Sequence, residues 1–106
     1  QIMGGTAQGL GYALLEAPVY KDGFMANSQL TNYIIPTALD TPPMDVSIVE
    51  KPYSNGPFGA KGVGELPLDV PGPAVAAAVF HATGLWLTEL PILPERLCAA
   101  ALAEAP

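Results

Sequence analysis

The residues of this chain best suited to chemistry lie in one run, Pro57-Phe58-Gly59-Ala60-Lys61-Gly62-Val63-Gly64-Glu65-Leu66-Pro67. Three glycines, one lysine and one carboxylate fall within the seven residues from Gly59 to Glu65. Glycine admits backbone conformations that other residues avoid, and it lets another molecule approach the main chain. Glu65 closes this run and precedes Leu66-Pro67, so an irregular backbone places its carboxylate among apolar neighbours. Such a carboxylate suits a general base, because desolvation raises its proton affinity. The plainer alternatives are a carboxylate that caps the turn or pairs with Lys61.

Other chemistries fit less well. A Walker A loop has glycine directly before its lysine and Ser or Thr after it, whereas Lys61 stands between Ala60 and Gly62. Neither glycine-rich run contains G-x-G-x-x-G, since Gly9-Leu10-Gly11 continues to Leu14 and Gly62-Val63-Gly64 to Pro67. His81 is the sole histidine and sits within an apolar run that reads as core or helix surface. No serine occupies a nucleophile elbow, and no pair of carboxylates suggests glycoside chemistry. Glu16, Glu50, Glu89, Glu95 and Glu104 occupy ordinary surface-like positions. Cys98 is the single cysteine, which excludes an internal disulfide and a multi-cysteine metal site. Its alanine-rich surroundings predict a buried thiol.

The elements that must position Glu65 follow from periodicity. Met3, Ala7, Leu10 and Leu14 form the stripe of an amphipathic helix over 1–17. Glycines 4, 5, 9 and 11 interrupt it, each at about 1 kcal/mol against alanine. Close approach at that surface would offset the cost: Gly5 and Gly9 are spaced for another backbone, and Gly4 and Gly5 equally for a cofactor. Val19-Tyr20 and Phe24-Met25 read as two short strands about an Asp22-Gly23 turn. The alternation over 45–51 predicts a half-buried strand that ends at Pro52. Leu66 to Val70 reads as extended. Pro73 opens a helix to Thr83, apolar enough to require burial, with Gly84 as its stop. Leu85–Leu90 reads as a last strand, and a final helix runs from Pro94 to about Ala103. The fold expected is α+β: one small mixed domain over 1–106.

Composition narrows the partners. Net charge is −6 with four basic residues, so the chain lacks an electrostatic footprint for nucleic acid or an anionic membrane. No apolar run reaches the ~18 residues of a membrane span, and no signal peptide is visible. The sequence opens at Gln1 inside a helical pattern, which reads as a fragment or a processed chain.

The ordered motifs resemble the xanthine oxidase family of molybdenum hydroxylases, which includes xanthine dehydrogenases and aldehyde oxidoreductases. Gln1-Ile2-Met3-Gly4-Gly5 with Gln8-Gly9-Leu10-Gly11-Tyr12-Ala13-Leu14 and Glu16 resembles that family's glycine-rich helix. Tyr33-Ile34-Ile35-Pro36-Thr37-Ala38, with Asp40 and Pro42, resembles its next segment, and Gly56 to Glu65 its active-site loop. Ala82-Thr83-Gly84, Leu90-Pro91 and Pro94-Glu95-Arg96 are similar to its C-terminal end. The resemblance implies that Glu65 is the general base that takes the proton from a molybdenum-bound hydroxide, with an aldehyde or N-heterocycle as substrate. It implies a pterin contact for Gln1 and a cofactor-facing backbone at Lys61, Gly62, Val63 and Gly64, with no protein side chain on the metal. Molybdenum–molybdopterin would be shared with segments upstream of Gln1. Iron–sulfur clusters and FAD are expected on other domains or subunits, and the cytoplasm as location.

Two departures stand out. Ala77 occupies a helix position where many relatives carry asparagine. The family's molybdenum subunit is also several times longer than this chain, which implies a C-terminal piece of the molybdopterin-binding domain unable to bind cofactor or turn over alone. The competing reading is a non-catalytic fragment that acts as a structural or partner-binding module.

Overall fold

The computed structural model describes residues 1–103. Helix α1 spans Ile2–Leu14, strands β1 and β2 span Tyr20–Lys21 and Phe24–Met25, and helices α2, α3 and α4 span Leu66–Asp69, Pro71–Thr83 and Pro94–Ala103. A single 3-10 turn, Pro57–Gly59, interrupts the long irregular stretch between β2 and α2. The α+β expectation holds, with helices dominant and one antiparallel strand pair.

Helix α1 carries the packing. A methyl group at Gly5 would lie 2.8 Å from Pro67 Cβ, and one at Gly9 2.5 Å from Pro71 Cγ and 3.0 Å from the Leu68 carbonyl oxygen. The glycines on this face therefore let α2 and the start of α3 lie directly on the α1 backbone. Backbone packing is thus the role of both Gly5 and Gly9, whereas a methyl at Gly4 would meet nothing within 4 Å. At the C-terminal end of α1, the Ile92 N–H donates to the Ala13 carbonyl at 2.7 Å, and Ala13, Leu85 and Ile92 form the buried apolar core.

The hairpin follows its turn chemistry. Tyr20 pairs with Met25 and Lys21 with Phe24, with Asp22 at φ 52° and Gly23 at φ 81°. Two consecutive positive φ angles match the right-handed twist of the strands, which is why Asp-Gly serves here. Asn27 holds the base of the hairpin: its Oδ1 accepts from the Val19 N–H at 2.8 Å, and its Nδ2 donates to the Ala17 carbonyl at 2.9 Å. Gly84 ends α3 in the left-handed region at φ 79°, with its N–H on the Phe80 carbonyl.

Several expectations are corrected. Leu66–Asp69 is a helical turn, not an extended segment, because Pro67 sits at a first-turn position where its missing N–H costs nothing. The same logic starts α3 at Pro71, two residues before Pro73. Residues 45–51 and 85–90 form no strand, since neither finds a backbone partner among the described residues. Helix α3 is buried only at Pro71, which meets Gly9 of α1, and at Gly72; Val75, Ala76, Ala77 and Val79 are half-buried and the rest of the helix is exposed. Cys98 is exposed, not buried, because α4 has no buried residue.

The molecule is open. Its radius of gyration is 17.5 Å, against about 13 Å for a compact domain of this length. Its accessible surface is 8255 Å², where a compact monomer of this mass exposes roughly 5,600 Å².

Candidate functional site

The decisive contact joins the two ends of the expected site. Gln1 immediately precedes α1, and its Nε2 donates to the Gly64 carbonyl oxygen at 2.8 Å across 63 residues of sequence. Gly64 directly precedes Glu65, which in turn precedes α2. The packing of α2 on α1 thus carries the loop to the start of the helix, and the side-chain bond fixes its last carbonyl.

Beside this contact lies an open groove of about 770 Å³ between the start of α1, the stretch 46–52 and the loop 58–63. Gln1, Lys51, Lys61, Gly62 and Val63 are among the residues that line it. Two of the chain's four basic side chains therefore face one space in an otherwise acidic molecule. Among the described residues, the backbone N–H groups of Lys61, Gly62, Val63 and Gly64 donate to no acceptor of this chain. Methyl groups at Gly62 or Gly64 would meet nothing within 4 Å, so the main chain is open to approach there. Phe58, at φ 53° and fully exposed, forms the rim.

Glu65 is adjacent to the groove and is not part of its lining. Its side chain makes no cap bond on α2, and among the described residues the only ion pair joins Arg96 to Glu89 at 3.6 Å. Neither plainer role, a capped turn or a Lys61 pair, is realised. The enclosure expected of Val63 and Leu66 is not realised either. Glu65 is exposed, with Val63 40% and Leu66 62% exposed, so any dry surround must come from outside these residues. No three His, Cys, Asp or Glu side chains converge on a metal position among the described residues.

One pair escaped the sequence reading. Tyr33 Oη donates to Glu16 Oε2 at 2.6 Å, and Glu16 Oε1 lies where a methyl group at Gly11 would sit only 2.6 Å away. The hydrogen bond to Glu16, reinforced by its negative charge, holds the Tyr33 hydroxyl above the ordinary tyrosine range. Glu16 follows the helix pattern as a surface acid would. Only the buried Gly11 beneath it signals that something folds over that position.

The molybdopterin cofactor-binding domain family model matches residues 1–42, which contain α1 and the hairpin. The chain is 39% identical over 100 residues to a probable xanthine dehydrogenase component of Bacillus subtilis (strain 168), covering 94% of this chain and 13% of that protein. It is 41% identical over 101 residues to an aldehyde oxidoreductase of Megalodesulfovibrio gigas, covering 94% of this chain and 11% of that protein. The crystal structure of quinoline 2-oxidoreductase from Pseudomonas putida 86 superposes with a TM-score of 0.86 at 37% identity, over 99% of this chain and 14% of that one. The chain belongs to the xanthine dehydrogenase and aldehyde oxidoreductase family. It is a segment of that family's molybdopterin-binding region and spans about 13% of the length of such relatives. A Cu,Mo-CO dehydrogenase, at 24% identity and a TM-score of 0.81, shares the fold. The groove combines cationic and peptide donor groups with one carboxylate, Glu50. It offers the unpaired peptide N–H groups of Lys61, Gly62 and Val63, two lysines and the rest of the Gln1 amide, with the main chain open at Gly62.

Proposed function

We infer that this segment contributes the general base, Glu65, and one wall of the cofactor seat to a molybdenum hydroxylase that oxidises an aldehyde or an N-heterocycle. The observation that carries the reading is the Gln1–Gly64 hydrogen bond, which holds the residue before Glu65 against the start of α1 at the mouth of the groove. Bound molybdenum–molybdopterin supplies the electron sink for the oxidation. The Glu65 carboxylate, free of cap and ion pair, is available to accept a proton from the attacking oxygen. Gln1 spends one N–H on Gly64 and keeps its second N–H and Oε1 for the polar edge of a pterin. The Lys61–Gly64 peptide N–H groups and the Lys61 ammonium hold anionic oxygens. Val63 and Leu66 complete a water-excluding wall once the remainder of the subunit covers them. Iron–sulfur and FAD groups on other domains or subunits would carry the electrons onward.

Glu65→Gln in the complete protein tests this. Removal of a general base costs roughly 10²- to 10⁴-fold in turnover, with molybdenum content unchanged. Turnover close to wild type would refute the role. It would favour the structural or partner-binding reading, which the large uncovered apolar surface also accommodates.

A further inference from the structure

Between Pro42 and Pro52 the chain runs without a turn, bend or bridge. Among the described residues, no backbone N–H or C=O from Met44 to Lys51 has a hydrogen-bond partner. The side chains are patterned for a sheet all the same. Met44, Val46 and Ile48 fall on one face with Glu50 at its end, and Asp45, Ser47, Val49 and Lys51 fall on the other. Met44 is half-buried but Val46 is 41% and Ile48 74% exposed, so a segment of high strand propensity carries one apolar face that is largely uncovered. Prolines at both ends limit it to the length of an ordinary strand.

We propose that residues 44–51 are a β-strand of the molybdenum-binding subunit whose ladder partner lies in the part of that subunit outside these residues. The chemistry identifies the occupant. A row of unpaired, alternating donors and acceptors is matched by another strand edge, and the apolar Met44, Val46 and Ile48 face calls for packing on that side of the sheet. A strand of the same subunit is favoured over a second copy for two reasons. The segment lines the groove beside Gln1 and Lys61, and the chain spans about 13% of the length of its relatives. The inference rests on these residues being part of that longer subunit, and not on the catalytic role of Glu65.

Residue-resolved hydrogen exchange on the complete protein decides it. The expected result is exchange slowed at least ~100-fold relative to the free peptide. It would appear at Val46, Ile48 and Glu50, or at Asp45, Ser47, Val49 and Lys51, or at both sets, independent of protein concentration. Free exchange across 44–51 would overturn the proposal. So would protection that appears only at high concentration or on addition of another subunit, which would make a second copy or a separate chain the occupant. Glu65→Gln turnover on the same preparation separates the two readings. Free exchange with turnover abolished removes the strand alone, and protected exchange with turnover retained removes the catalytic role alone.

Discussion

At the scale of single residues, the Gln1 amide is the most exacting part. It donates to one carbonyl, Gly64, so its polarity and not merely its size is in use. Gln1→Glu sets a carboxylate oxygen against that carbonyl and removes the donor. In the complete protein, turnover and molybdenum content should both fall, about tenfold for a change on the order of 1.4 kcal/mol. Gln1→Ala, which removes the bond without adding repulsion, should fall less, and equal losses would argue against the donor role. The Tyr33–Glu16 bond has a spectroscopic signature. Because Tyr33 titrates above its ordinary value, with the Glu16 bond as the largest cause, the latch is intact below the ordinary tyrosine range and is lost as pH rises through the elevated value. Ultraviolet titration of tyrosinate should therefore show one late-ionising tyrosine, and Glu16→Gln should bring it down. An unchanged titration in that variant would exclude Glu16 as the cause.

At the scale of elements, α1 is a helix that gives up propensity for close contact. Gly9→Ala should gain about 1 kcal/mol in helix propensity and lose more, ~1–3 kcal/mol, to overpacking against Pro71 and the Leu68 carbonyl. Gly4→Ala meets open space in this chain and should leave stability level or raised. Denaturant midpoints of the complete protein would show the opposite signs, and a stabilising Gly9→Ala would refute the packing role. What was legible in the sequence is what local chemistry decides: α1, the Asp22-Gly23 turn, α4 and the Gly84 stop. The α2 turn was hidden because Leu66-Pro67-Leu68 reads as extended unless Pro67 is recognised as a helix-starting residue. The loop could be singled out from Gly59 to Glu65 by residue type. Its contact with Gln1 could not, because it depends on α2 docking on α1. The burial expected of Cys98 and of most of α3 failed for one reason, since periodicity shows that a face is apolar and not what lies against it.

At the scale of the whole molecule, the surface in excess of a compact protein of this mass, roughly 2,600 Å², is large for a self-sufficient domain. Only Ala13, Leu85 and Ile92 form a buried apolar core among the described residues, while Phe58, Leu39 and Val49 lie open. The isolated 106 residues should therefore show a broad, weakly cooperative denaturant transition and retain no molybdenum. A sharp transition with bound metal would refute this. The bond from Gln1 to Gly64 has a consequence for where such cooperativity originates. Bringing together groups 63 residues apart costs roughly 4 kcal/mol in loop-closure entropy, and one exposed hydrogen bond returns only about 1 kcal/mol. The bond therefore cannot close the loop; it registers a closure achieved by Pro67 seated on Gly5. The position of Glu65 is thus inherited from the contact of the Pro67 ring, two residues further on, with the bare backbone of Gly5. A single added methyl at Gly5, 2.8 Å from Pro67 Cβ, would therefore move the carboxylate proposed as the general base.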